Sequence, residues 1–442
     1  MSVSLIIGGQ WGDEGKAKII DYLARDADYV VRYQGGANAG HTVVVDGKRF
    51  AFHLLPSGLL YPKVTCLLGG GMVIDPIALS KEIDGVVAEG IEVKGRILIS
   101  EQAHLVLPYH VLVDGASEAK LGARSIGTTR KGIAPAYTDK ASRRGVRVGD
   151  FLRSRSELEQ LLTQKIREGN KALRQLGASP LPVGKTVAEL LRVKKRLEPM
   201  ITDTRLTLWS ALDKKKDILL EGAQGSLLDI DHGTFPYVTS SNPTVGGAIV
   251  GTGLPAHALG RVIGIFKAYC TRVGNGPFPT EDVRKKGDQI RKLGGEYGTT
   301  TGRARRCGWF DAVAARTVVR LNGITDVALT KLDVLDTFDD IKVCTSYRCG
   351  KKRLEYFPND VRALERCKPH YEVMPGWKET TNRADRAELP AKAAAYVGFL
   401  EELIGCRIDL VSLGPDRNAM IRFSSRRDRG GSGVPLTGDL PG

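Results

Sequence analysis

The chain of 442 residues is 42% hydrophobic and 26% charged, a globular composition with no apolar run near the roughly eighteen residues that a membrane span needs. Its formal net charge is +15, concentrated between residues 120 and 217, where 23 Lys or Arg face 10 Asp or Glu. Such an excess suits polyanions. With no aromatic interleaving, zinc finger or RNA-binding signature, it is assigned to nucleotide phosphates and a solvated helical surface rather than to nucleic acid.

An apolar strand, Ser4-Leu5-Ile6-Ile7, runs into the loop Gly8-Gly9-Gln10-Trp11-Gly12-Asp13-Glu14-Gly15-Lys16, and Lys16 to Arg25 has helical composition with Ile19, Ile20 and Leu23 at helical spacing. A strand that ends in glycines and opens a helix is the recipe for a phosphate cradle, because bare backbone and free N–H groups converge on the anion. The spacing is not that of a Walker A loop: Gln10 takes the leading glycine position, and Ala17 stands where Ser or Thr would ligate magnesium. Asp13 is the informative departure. A carboxylate aimed at phosphate is unfavourable unless a metal or a proton transfer uses it.

One strand later comes Gln34-Gly35-Gly36-Ala37-Asn38-Ala39-Gly40-His41-Thr42. Small residues leave the backbone bare beside Asn38 and His41, so a base edge or phosphate can approach a side chain able to donate a proton near neutral pH. Alone, His41 reads as a packed or surface histidine; beside the first loop it becomes a candidate acid.

From 43 to 119 strands and helices alternate (Val64–Gly69 strand, Pro76–Glu89 helix, Arg96–Ser100 strand), the pattern of a mostly parallel sheet with covering helices. Periodicity is lost from 120 to 150, where Gly127-Thr128-Thr129-Arg130-Lys131-Gly132 offers backbone donors, hydroxyls and cations to a phosphate. Residues 151–216 read as a helical insertion, with apolar positions from Leu158 to Ile201 at helical spacing and Gly177-Ala178-Ser179-Pro180 as a break. A strand at Asp217–Glu221 delivers Gly222-Ala223-Gln224-Gly225, and His232 is read as structural.

Arg261–Arg272 is expected to form one further strand. In Gly298-Thr299-Thr300-Thr301-Gly302-Arg303-Ala304-Arg305-Arg306, hydroxyls and guanidiniums suit a dicarboxylate. The strand Val327–Leu329 ends in Thr330-Lys331-Leu332-Asp333, whose carboxylate can accept two hydrogen bonds from guanine that adenine cannot offer. A hairpin (341–348 with 353–357), a helix (391–404) and a strand (407–413) follow. Residues 424–442, rich in Arg, Gly, Ser and Pro, read as a disordered tail. Seven scattered cysteines without a C-x-x-C pair indicate neither a zinc site nor a disulfide framework. The loop starts eight residues from Met1, which leaves no room for a leader and suggests a cytoplasmic protein.

Ten motifs occur in one order over residues 5 to 417: G-Q-W-G-D-E-G-K, V-R-Y-Q-G-G-x-N-A-G-H-T, G-T-T-x-x-G-I-x-P-A-Y, R-R-G-x-R-V-G-D, E-G-A-Q-G, D-I-D-H-G-T-F-P-Y-V-T-S-S-N, T-R-V-G-x-G-P-F-P-T, T-T-G-R-x-R-R, T-K-L-D-V-L-D and P-G-W. In these the chain closely resembles the adenylosuccinate synthetase family.

The resemblance implies a large α/β domain over 1–423 with the insertion at about 151–216, and GTP-dependent ligation of L-aspartate to IMP through a 6-phosphoryl intermediate. Asp13 would be the base, with His41, Lys16 and Gln224 completing the catalytic group. IMP would be held by Asp13, Glu14, Gly15, Lys16, Asn38, Ala39, Gly40, His41, Thr129, Gln224, Thr239 and Arg303, and by Arg143 contributed to the neighbouring site of a homodimer. GTP would meet Gly12 through Lys18 (Ala17 included), Gly40, His41, Thr42, Arg305, Lys331, Leu332, Asp333, Ser412, Leu413 and Gly414. L-aspartate would meet Thr299 through Arg305, that is Thr299, Thr300, Thr301, Gly302, Arg303, Ala304 and Arg305. Magnesium would be held by Asp13 and the carbonyl of Gly40.

Two departures from the family pattern are visible: Ala17 replaces a glycine, and Arg130-Lys131 replaces Gly-Arg. Neither removes a catalytic group. A viral branch acts on dGMP and lacks the loop carboxylate, so Asp13 points to IMP. A generic P-loop kinase is denied its Ser or Thr by Ala17. A nucleic-acid-binding relative without catalysis would explain the charge, but not the retained Asp13, His41, Gln224 and Arg303.

Overall fold

The computed structural model describes residues 3–45, 48–122, 126–298, 302–381, 388–414, 416 and 419–423, with the side chains of 41–49 outside the description. Its centre is an eleven-stranded sheet. From one edge to the other the strands are Met420–Arg422, Ile408–Ser412, Asp326–Thr330, Leu259–Lys267, Val3–Gly8, Ile218–Glu221, Tyr29–Gly35, Thr65–Ile74, Ile97–Ser100 and Ile201–Thr202, while His104–Leu105 pairs the far end of Thr65–Ile74. All pairings are parallel except that of Met420–Arg422 with Ile408–Ser412.

Alternation in the central strands divides the interior into two cores. Leu5, Ile7, Val31, Tyr33 and Leu220 face one side, with Phe266 and the helix Ala312–Asn322. Ile6, Val30, Cys66, Leu68 and Leu219 face the other, with the helices Lys16–Ala24 and Pro76–Ala88. Both faces are covered, which is why these strands read as continuous apolar runs. The first strand lies between neighbours reached in opposite directions, so the loops at the carboxyl ends of the central strands splay apart and leave a crevice.

The helices Arg155–Gln175 and Val183–Leu197 bury Leu158, Leu162, Ile166, Leu173, Val187 and Leu190 in the second core. Ser154 and Glu157 cap the first of them reciprocally. Gly169 lets it approach closely: a Cβ there would lie 2.2 Å from the Tyr109 ring.

Several expectations need correction. Ile201 is not helical; it starts a short edge strand paired with Ile99, so residues 151–216 also contribute to the sheet. Residues 120–150 hold the end of the helix Pro108–Leu121 and a second helix, Ile133–Ala141, whose small and polar residues masked its periodicity. The expected strand 261–272 is two, Leu259–Lys267 and Cys270–Arg272, and the second pairs Arg306–Gly308 outside the main sheet. The hairpin arm at 353–357 is the shorter Lys352–Leu354, and Asp340–Cys349 gains an unforeseen partner in Lys368–Pro375. The tail 424–442 lies outside the described residues.

Candidate active site at the carboxyl ends of the central strands

The first loop is shaped by a carboxylate that sequence reasoning assigned to ligand. Glu14 is fully buried; its Oε1 accepts from the backbone N–H of Gln10 at 2.9 Å and of Gly12 at 2.8 Å, and its Oε2 meets Lys16 Nζ at 2.6 Å. Gly12, Asp13 and Gly15 all have left-handed φ values, 85°, 59° and 83°. Asp tolerates that region better than most residues, and the turn presents Asp13 at the surface while Glu14 holds the loop from within. Lys16 also donates to the carbonyl of Gln224 at 2.5 Å. The helix that follows begins without a side-chain cap, which leaves its first N–H groups to other partners.

Gln224, itself at φ 59°, connects the two glycine loops. Its Oε1 accepts from Gln34 Nε2 at 2.9 Å and its Nε2 lies 3.3 Å from Asn38 Oδ1. Gly35 allows this approach, because a Cβ there would stand 3.2 Å from Gln224 Oε1. The side chain of His41 is outside the description; its backbone opens the hairpin His41–Val45 with Lys48–Phe52.

A second loop is anchored by buried acids. Glu118 Oε1 accepts from the N–H of Gly127 and Thr128, and Asp114 accepts from Thr128 Oγ1 at 3.0 Å and Gly132 N at 2.9 Å. Thr129 is left exposed. The guanidinium of Arg303 stands close to this loop, 3.8 Å from where a Gly127 Cβ would be.

On the other flank, Asp333 is largely buried and its Oδ1 has no hydrogen-bond partner among the described residues, so the site presents an unused acceptor. Burial raises the Asp333 carboxyl above its ordinary value. Lys18 crosses from the helix Lys16–Ala24 to donate to Ser412 Oγ, Gly414 O and Ala419 O at 2.7 to 2.9 Å. Burial brings its ammonium down to about 8, against the opposing pull of Asp333 and Asp416. Leu332 and Leu413 are core residues and offer the site apolar wall or backbone only.

Described residues of the segment 296–306 reach Asp13. Arg305 Nε forms an ion pair with Asp13 Oδ2 at 2.8 Å, and Arg305 Nη1 bonds Glu296 Oε2 at 2.6 Å. Arg306 is spent on Glu281 and the carbonyl of Gly276, so of the three guanidiniums expected to clamp a dicarboxylate only Arg303 is exposed. Gly302 N bonds the carbonyl of Gly298, and Gly298 N bonds the carbonyl of Arg303; the expected Thr299, Thr300 and Thr301 lie outside the described residues.

A family model for adenylosuccinate synthetase matches residues 5–421. The adenylosuccinate synthetase of Trichodesmium erythraeum is 50% identical over 423 residues, 95% of this chain and 96% of that protein. This chain belongs to the adenylosuccinate synthetase family. Its activity is that of an adenylosuccinate synthetase, a GTP-dependent ligase of AMP biosynthesis. The fully ligated adenylosuccinate synthetase of Plasmodium falciparum superposes with a TM-score of 0.90 at 37% identity, covering 96% of this chain and all of that one. The succinoaminodeoxyadenylate synthetase of cyanophage S-2L, bound to dGMP and dATP, shares the fold at a TM-score of 0.61, with 22% identity and 96% of each chain covered.

Two further residues are expected from the adenylosuccinate synthetase family. Thr239 is half-buried and its N–H bonds the carbonyl of Leu228. Arg143, at φ 62° beyond the helix Ile133–Ala141, is exposed. His232 is structural only through its backbone N–H, which bonds Asp229; the imidazole is exposed. Asp229, buried and bonded to four groups of the same segment, is the organising residue there. Sequence reasoning also missed Glu118, Asp114, Lys267 and Glu296. The available signal was a charged residue inside an apolar run, as in Ile263-Gly264-Ile265-Phe266-Lys267, where burial demands a partner.

Among the described residues no group of three or more His, Cys, Asp or Glu could by itself hold a metal ion, and no helix is long and apolar enough to cross a membrane.

Proposed function

We propose that the ligation proceeds in two steps, with the residues of the crevice in defined roles. Asp13 takes the N1 proton of IMP, and O6 attacks the γ-phosphate of GTP to give 6-phosphoryl-IMP and GDP. The amino group of L-aspartate then displaces phosphate at C6. Lys16, on the helix N-terminus, stabilises the transferring phosphoryl group, and His41 donates toward the departing β-phosphate. Gln224 and Asn38, hydrogen-bonded to each other, orient the purine; Thr129 takes the 5′-phosphate; Arg303 takes a carboxylate of L-aspartate. Asp333 reads guanine through the acceptor that has no protein partner.

The carboxylate of Asp13 and the carbonyl of Gly40 are hard oxygen donors that suit Mg²⁺, which keeps its other positions for phosphate oxygens and water. When bound, the ion supplies charge neutralisation at the phosphates. We further propose a homodimer in which Arg143 serves the neighbouring site, a single unit over 1–423 with its insertion at about 151–216, and a cytoplasmic location.

The observation that carries this reading is the convergence of Lys16, Gln224 and Asn38 with the ion-paired Asp13, beside the unpartnered acceptor of Asp333. The test is the ultraviolet difference signal with IMP, L-aspartate, GTP and magnesium, each omitted in turn, with ATP and dGMP as substitutes. Signal only with the full set supports the assignment; turnover of dGMP alone overturns the nucleotide, and turnover with ATP equal to GTP overturns the role of Asp333.

A further inference from the structure

Glu296 is fully buried and lies outside every role assigned above. Its two oxygens face different halves of the site. Oε1 meets Lys331 Nζ at 3.0 Å, Lys267 Nζ at 2.9 Å and Tyr269 OH at 2.5 Å. Oε2 meets Arg305 Nη1 at 2.6 Å, and the same guanidinium reaches Asp13.

The three cations come from three different segments. Lys267 ends a central strand and also bonds Thr271. Lys331 stands two residues before Asp333, with a left-handed φ of 57° and a second bond to the carbonyl of Gly294. The backbone N–H of Arg305 bonds the carbonyl of Glu296 itself. Burial alone would raise the Glu296 carboxyl, but Lys267, Lys331 and Arg305 hold it well below the usual carboxylate range. Glu296 itself is fully buried, so a shift of one cation is felt by the others through a single carboxylate.

We propose that Glu296 is a positioning residue that couples the guanine-reading segment around Lys331 and Asp333 to the placement of Asp13 through Arg305. A stability role alone would not need the two oxygens divided between the halves of the site. With Asp333 engaged by a purine that offers two donors, the 330–333 turn is fixed, Glu296 is fixed through Lys331, and Arg305 holds Asp13 at one orientation. The inference rests on the reading of Asp13 as base and Asp333 as guanine acceptor.

The test uses the full chain with Glu296→Gln, which keeps shape and removes charge, and Glu296→Asp, which keeps charge one methylene short. Steady-state kinetics for each substrate and a thermal melt are recorded for both, with Asp13→Asn as control. In Glu296→Gln, kcat falls about tenfold to hundredfold and the KM for GTP rises, while the KM for IMP changes by less than about threefold. Glu296→Asp recovers part of kcat. A lowered melting temperature with kcat and the KM for GTP unchanged overturns the proposal, as does a uniform rise in all three KM values or failure of both variants to fold. If Asp13→Asn keeps full activity, the reading of the base has failed instead, and the two failures are thereby told apart.

Discussion

Two buried carboxylates flank Asp13 and are satisfied in opposite ways. Glu14 meets two backbone N–H groups within four residues of itself and one lysine two residues on. Glu296 meets three cations and a phenol drawn from residues 267 to 331. The first fixes the shape of one loop; the second fixes the relation among three. A carboxylate that accepts from its own backbone is a local device, and one that gathers cations from distant strands is a tertiary one.

That contrast can be broken at the residue held between them. Asp13→Asn leaves both anchors in place and removes the proposed base, so turnover in the ultraviolet assay falls by about 100-fold or more while the melting temperature changes little. Next in size is Glu14→Ala. It orphans two buried N–H groups and leaves the Lys16 ammonium with only the Gln224 carbonyl, so urea unfolding loses about 3 kcal/mol and GTP binding is lost with it. Asp333→Asn sharpens the tertiary side: the KM for GTP rises about tenfold or more as the amide turns a donor toward guanine, while the KM for IMP is unchanged.

The smallest expected effect is one of pH. Lys18 has its folded-state value lowered to about 8 from 10.5, so between those values the unfolded chain holds more protons than the folded one. Stability from this group therefore rises with pH across that window, and the cost of its buried charge is fully present below it. The urea midpoint of Lys18→Met therefore stands higher relative to wild type at pH 7 than at pH 10, because the variant escapes a charge-burial cost that wild type bears fully only at the lower pH.

The glycine loops, the Thr330–Asp333 turn and the helix Ala391–Ile404 were legible because their information is local. Positive φ at Gly12 and Gly15, a helix opening at Lys16 and an apolar strand before it are all properties of neighbouring residues. The helix Ile133–Ala141 was not legible, since its apolar face is built from Ile133 and Ala136 with few large residues to mark it. Nor was the division of labour among Arg303, Arg305 and Arg306, three arginines of one short segment. Their fates depend on Glu281, Glu296 and Asp13, which only the fold brings to them.

The amino-acid order alone thus determined the family, and it marked the glycine loops, the Thr330–Asp333 turn and Asp13 as the candidates for its site. It did so because each rests on backbone geometry and residue type within a few positions. Strand order decided the rest. Placing Leu259–Lys267 between Val3–Gly8 and Asp326–Thr330 brings Lys267 and Lys331 to one carboxylate, and the segment 296–306 then carries Arg305 to Asp13. Such meetings occur between residues tens to hundreds of positions apart, where local periodicity carries no information and only the burial of both sheet faces selects the arrangement.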